Sequence, residues 1–230
     1  MSRAAAIGGA GAAAAWSVPA LAPIAAPVAA AIGVPRRLDR GDAVAVTFDD
    51  GPHPEGTPAV LEALSRAGAK ATFFLVGEQV ERTGSLASEI AAAGHGIAIH
   101  GYRHRNQLRL PPGAVDADCA RAETVIAEAT LTRPSAYRPA YGIFSWPGLV
   151  AVRRRGWTPL LWSRWGRDWR RSATPESIAA GVTSGLGGGD VLLLHDADTY
   201  SAPGSHTRTA AAMPRVLEEI ERLGLETVAL

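Results

Sequence analysis

Val44-Ala45-Val46-Thr47-Phe48-Asp49-Asp50-Gly51-Pro52 is the stretch whose reading decides the fold. A run rich in β-branched residues stops at two adjacent carboxylates, and Gly-Pro prevents regular structure from continuing. The pattern is that of a buried strand delivering two acids to its C-terminal end. Adjacent side chains on a strand point to opposite faces, so Asp49 and Asp50 are expected to find different partners unless the strand breaks there. Taken alone, Asp-Asp-Gly-Pro also reads as an Asx-type turn after a strand, because all three residue types favour turns. The rest of the chain decides between the two.

Working outward, strands and helices alternate. Strands are expected over residues 43–48, 71–76, 97–99, 136–138, 158–162, 190–194 and 226–230, and helices over 57–67, 85–93, 114–129, 147–155, 174–186 and 210–223. Thr57-Pro58 and Thr174-Pro175 both look like a cap followed by a first-turn proline. Repeated strand and helix units with near-continuous apolar strands imply a parallel sheet covered by helices. About seven units suit an α/β fold of the (β/α) barrel type, distorted and closed or incomplete, with its chemistry at the C-terminal strand ends.

The strand ends carry that expectation further. The first delivers Asp49 and Asp50, and the third His100-Gly101-Tyr102-Arg103-His104. That histidine spacing lets both imidazoles face one metal if the segment forms a turn of helix. The fourth delivers Arg138-Pro139-Ala140-Tyr141-Gly142. The fifth is followed by Trp162-Ser163-Arg164-Trp165-Gly166-Arg167-Asp168-Trp169, and the sixth ends in His195-Asp196. Five of the seven expected strand ends bear ionisable or aromatic groups. His53, His95 and His206 fall outside this pattern and receive no role. The cluster Trp157, Trp162, Trp165 and Trp169 reads first as core, although Trp165 and Trp169, in a loop, suit stacking on a sugar face.

In this order the segments resemble the polysaccharide deacetylases of carbohydrate esterase family four, which share the chitooligosaccharide deacetylase homology domain. Thr47–Pro52 repeats the family's Thr-Phe-Asp-Asp-Gly-Pro without change. His100 and His104 match its His-Ser/Thr-x-x-His, with Gly101 in place of the hydroxyl residue. Arg138–Gly142 matches Arg-Pro-Pro-Tyr-Gly with Ala140 for one proline. Asp168-Trp169 matches the end of Asp-x-x-Asp-Trp, with Trp165 at the first acid, and Leu193 and His195 match Leu-x-His. The resemblance spans residues 43–230. It implies metal-dependent N-deacetylation of N-acetylated sugars in a cell-wall or related polysaccharide, releasing acetate.

It also implies roles residue by residue. Asp50, His100 and His104 would hold a divalent metal; zinc is the leading choice, and cobalt, nickel or iron also suit two imidazoles and a carboxylate. Asp49 would be the general base, held by Arg138. His195 would be the general acid, oriented by Asp168. A backbone N–H near Tyr141 would stabilise the tetrahedral intermediate, and Trp169 and Leu193 would wall the acetyl methyl. Loss of the hydroxyl at Gly101 is expected to weaken metal binding, and Trp165 is expected to alter the substrate rim. Two alternatives share these residues: a deacylase of a small-molecule or lipid-linked sugar, and a non-catalytic glycan-binding module on the same fold. The intact Asp49, Asp50, His100, His104 and His195 weigh against the module.

Composition bounds the rest. At 230 residues, 47% of them hydrophobic, the chain supports one large core. A net charge of +1 leaves no basic excess for nucleic acid. Cys119 is the only cysteine, which excludes an intrachain disulfide and a multi-thiolate zinc site. Residues 4–35 carry no charge and are rich in Ala, Gly and Pro. Residues 1–40 are therefore expected to form a leader, either disordered or an export or membrane-anchoring segment, ahead of a deacetylase domain at 41–230. The expected location is extracytoplasmic, secreted or anchored at the cell envelope.

Overall fold

The structure, a computed structural model, describes residues 16–230. Its centre is β1 (Ala43–Asp49), every residue of which is buried. β1 pairs in parallel with β2 (Thr72–Leu75) on one side and with β7 (Val191–His195) on the other. The sheet continues outward through β3 (Gly96–Ile99), β4 (Ala136–Tyr137) and β5 (Thr158–Pro159) beyond β2, and through β6 (Arg164–Trp165) beyond β7. β8 (Glu226–Thr227) pairs with the start of β1. All these ladders are parallel, and no ladder joins β5 to β6, so the barrel is incomplete. With both faces covered by helices, the strands need no polar alternation, which is why they read as unbroken apolar runs.

The helices are α1 (Ala26–Ala31), α2 (Gly56–Arg66), α3 (Gly77–Thr83), α4 (Leu86–Ala92), α5 (Pro112–Thr130), α6 (Trp146–Arg154), α7 (Pro175–Thr183) and α8 (Ser205–Arg222). The Thr174 cap is present as a capping box with Ser177. The Thr57 cap is not. α2 starts one residue earlier, and the Thr57 hydroxyl instead accepts from the His53 N–H (2.7 Å) and donates to Asp196. The strand expected over 158–162 ends at Pro159, because the next carbonyls are used elsewhere: Leu160 and Leu161 both accept from Arg138 (3.1 Å each). Pairing resumes at β6, an eighth strand that the sequence reading did not include. The short α3 was likewise not anticipated.

The stretch before β1 packs onto the domain. Ala22, Ala29 and Val34 are buried in the core. The Leu161 N–H donates to Pro35 O (3.0 Å), Leu38 N–H to Gly189 O (2.8 Å), and Arg37 bridges to Asp190. Residues 34–38 thus lie across the gap between the end of β5 and the start of β7. Asp190, fully buried, ties this seam together, accepting from Arg37, from Ser163 Oγ (2.7 Å), Arg164 Nε (3.0 Å) and Gly187 N–H (3.0 Å). Residues 4–15 of the uncharged segment lie outside the described residues. Among the described residues no helix is long and apolar enough to cross a membrane.

Candidate active site

The strand does break between the two acids. Asp49 is the last residue of β1, while Asp50 turns to a φ of 78°, a left-handed conformation that an Asp side chain tolerates better than most. The turn brings both carboxylates into one cleft. Asp49 Oδ1 accepts from Arg138 Nη1 at 2.6 Å, and the same nitrogen reaches Thr47 Oγ1 at 2.9 Å. Arg138 is completely buried, its guanidinium lying 3.9 Å from the centroid of the Phe74 ring. Every arm of it is used, so Asp49 faces a fixed partner rather than a mobile one. Gly51 is required here: a Cβ would stand 2.4–2.8 Å from the Asp196 carboxylate.

Asp50 gathers the histidines. Its Oδ1 lies 3.4 Å from His100 Nε2 and 3.3 Å from His104 Nε2, is buried, and has no hydrogen-bond partner among the described residues. The two imidazoles converge without a helix, since residues 100–106 form an irregular loop and the rings stand 5.4 Å apart. His100 Nδ1 donates to Arg138 O at 2.8 Å, which puts the ring proton on that nitrogen. In the neutral ring this leaves the Nε2 lone pair turned toward the Asp50 carboxylate, an arrangement that a cation between them makes favourable. Bonds of about 2.0–2.1 Å to a tetrahedral ion place ligands about 3.3 Å apart, the separation found here. Burial pushes the Asp50 carboxyl up, but the His100 contact and neighbouring imidazoles outweigh it and hold it at about 2. Burial lowers His104 to about 4. The Asp50 carboxylate is thus ionised and the His104 imidazole neutral, the states that ligation requires of them.

Across the cleft, His195 ends β7 and pairs with Asp168. His195 Nδ1 meets Asp168 Oδ1 at 2.9 Å, and Asp168 Oδ2 accepts the His195 N–H (2.7 Å) and Thr209 Oγ1 (2.9 Å). Burial lowers the imidazole, but the charge and hydrogen bond of Asp168, with Asp50 and Asp49 behind, raise it to about 10. His195 is thus a proton-bearing group with Nε2 left for the cleft.

Asp49, Asp50, His100, His104, Tyr141, Trp169, Leu193 and His195 line one cleft of about 360 Å³, with Arg138 and Asp168 directly behind. Trp162 and Trp165 are part of its wall. The Trp165 ring lies 5.9 Å from Trp162 and 5.8 Å, edge-on, from Trp169, which in turn meets His195 edge-on at 5.5 Å. An aromatic surface thus stands where the family motif has an acid.

Several groups in and behind the cleft were not found from the sequence. Asp118, on α5, accepts the Tyr102 N–H (2.8 Å) and Arg105 Nη2 (2.7 Å), ordering the histidine loop. Its carboxylate also stands 3.1 Å from where a Gly101 Cβ would be, so Asp118 fills the place of the missing hydroxyl residue. Tyr200, on the loop after β7, stacks on His104. His53 and His206 form a second group with Asp198. His53 Nδ1 accepts from Gly56 N–H (3.0 Å) and Glu55 N–H (3.3 Å), so its proton sits on Nε2, facing Asp198, and leaves no lone pair there. This group ties the loop after β7 to the loop after β1.

An open (β/α) barrel with a His-His-Asp set facing a His-Asp pair defines a hydrolase built at strand ends. The sequence model of the polysaccharide deacetylase family matches residues 37–158. A peptidoglycan-N-acetylglucosamine deacetylase of Bacillus cereus is 31% identical over 189 residues, spanning 81% of this chain and 85% of the relative. A chitooligosaccharide deacetylase of Bradyrhizobium sp. is 31% identical over 190 residues, covering 80% and 86%. Among solved structures, a family 4 carbohydrate esterase from Streptomyces lividans in complex with acetate superposes with a TM-score of 0.73 at 31% identity, over 81% of this chain and 91% of that one. The chain belongs to the polysaccharide deacetylase family.

Proposed function

We propose that the chain hydrolyses the acetamide of N-acetylated sugars in a cell-wall polysaccharide, of the peptidoglycan or chitooligosaccharide kind on which the named relatives act, at an extracytoplasmic site. One observation carries the reading: a proton acceptor and a proton donor face each other across a cation-ready group, within one cleft. Asp50, His100 and His104 would hold a divalent ion, zinc by donor set and spacing. When bound, the ion supplies Lewis-acid polarisation of the amide carbonyl and a more acidic water.

The side chains supply the rest. Asp49, with Oδ1 occupied by Arg138, keeps Oδ2 for a proton from the attacking water. The backbone N–H at Tyr141 is assigned to the charge developing on the amide oxygen. His195 Nε2 delivers its proton to the departing amine, and Asp168 stabilises the charged ring and fixes its orientation. Trp169 and Leu193 exclude water around the acetyl methyl.

The test is acetate release from chitooligosaccharides, peptidoglycan and small N-acetylated sugars, before and after chelation and with zinc restored. Chelator-sensitive acetate from a polymer or oligomer is the expected result. Release from monosaccharides alone redirects the assignment to small sugars, and no release from any of them refutes deacetylation.

A further inference from the structure

His100 and His104 are supported differently. A histidine that ligates a metal ordinarily passes its other ring N–H to a carboxylate, a carbonyl or water, which fixes the ring's orientation. His100 does so, through Nδ1 to Arg138 O at 2.8 Å. His104 Nδ1 is buried and has no hydrogen-bond partner among the described residues. Its ring is held by aromatic faces instead. Tyr200 stacks on it with centroids 4.3 Å apart and planes inclined by 13°, and Tyr141 meets it edge-on at 4.4 Å.

Tyr200 is itself anchored at the far end. Its hydroxyl donates to Glu78 Oε1 (2.8 Å) and accepts from Gln79 Nε2 (2.9 Å). Both partners sit in the first turn of α3. The same turn holds the histidine loop directly, with Gly77 N–H donating to Gly101 O (3.0 Å) and Glu78 N–H to Tyr102 O (2.9 Å). A single helical turn therefore sets the heights of both the loop that carries His104 and the ring that covers it. Tyr141 is more than half exposed and is bonded to no such platform, so it is the weaker of the two supports.

We infer that Tyr200 is a positioning residue for His104: its ring, clamped to α3 by the hydroxyl, fixes the imidazole plane in place of a hydrogen bond to Nδ1. This rests on the proposed metal site, and it reaches the chemistry only through His104.

The experiment compares wild type, Tyr200→Leu, Tyr200→Phe and His104→Ala. Zinc affinity is measured by competition with a chromogenic chelator on the folded, metal-free proteins, and folding is monitored by near-ultraviolet circular dichroism. The expected result is about 10–100-fold weaker zinc binding for Tyr200→Leu, the range typical of lost outer support, with a smaller but measurable loss for Tyr200→Phe, which keeps the ring and gives up the clamp. Wild-type affinity in folded Tyr200→Leu overturns the inference. So does an equal loss in Tyr200→Phe and Tyr200→Leu, because the ring would then not be the agent. Wild-type affinity in Tyr200→Phe, with the ring present but unclamped, overturns the clamp, and this comparison decides if Tyr200→Leu does not fold. Wild type and His104→Ala with equally weak zinc binding would instead refute the metal site itself, a separate failure.

Discussion

Asp49 and Asp50 are neighbours in sequence and differ in their nearest partners, one held by a buried guanidinium and the other facing two imidazoles. Asp49→Asn removes a proton acceptor and leaves the ligand set untouched. It is expected to retain zinc in stoichiometric amount by elemental analysis while acetate release falls by about 10²–10⁴-fold. Substantial turnover would remove Asp49 from the base position. Asp168→Asn acts on the other side. His195 lies at about 10, above its ordinary 6.5, so it carries its proton at neutral pH and loses it as pH rises through about 10. Without the Asp168 charge the imidazole gives up its proton earlier. The alkaline limb of the rate profile is therefore expected to move to lower pH, with kcat reduced throughout. An unmoved limb would contradict the pairing. At this scale the residues of the five motifs could be picked out, since most stand at or shortly after a strand end and carry a chemistry-bearing side chain. Thr209, Asp118 and Tyr200 were not. Each lies in an ordinary helix or loop, and its contacts are set by tertiary packing that no local pattern records.

At the level of elements, the loop from Gly101 to Asn106 has no regular hydrogen-bond ladder and depends on what its neighbours offer. α3 supplies N–H groups to two of its carbonyls, and α5 supplies Asp118 to its N–H groups. Asp118→Ala is expected to weaken zinc binding about 10-fold or more while far-ultraviolet circular dichroism stays unchanged. Equal affinity in variant and wild type would show that α3 alone suffices. The elements themselves were read well where they are long and periodic, as in β1, β7 and α5. They were read poorly where they are short. α3 has seven residues and begins at a glycine, and β6 has two. The strand expected beyond Pro159 fails for a reason in another part of the chain, the guanidinium of Arg138 claiming its carbonyls. The histidine spacing fitted a helical turn, but the loop reaches the same convergence through a glycine at φ 90°.

For the whole molecule, the expectation of an α/β barrel with its chemistry at the strand ends is borne out, because repeated apolar strands separated by helices admit few other architectures. What composition does not reveal is how the unpaired side is sealed. Asp190 gathers Arg37, Ser163, Arg164 and the Gly187 N–H at that seam. Asp190→Ala is expected to lower stability by about 2–3 kcal/mol in urea unfolding, less than for a fully enclosed pair because both arginines are partly exposed and rehydrate. No change in midpoint would show that the apolar contacts of residues 22–34 close the gap unaided.

Strand length falls away from the centre of the sheet. β1 is bonded along both edges, whereas β4, β5 and β6 have two residues each. In amide hydrogen exchange this becomes a gradient in time. The N–H groups of Thr47 and Phe48 are expected to exchange only with global unfolding, and those of Trp165 and its neighbours by local opening well before it. A bulky glycan would then enter past a compliant rim while the acids beneath it hold their places.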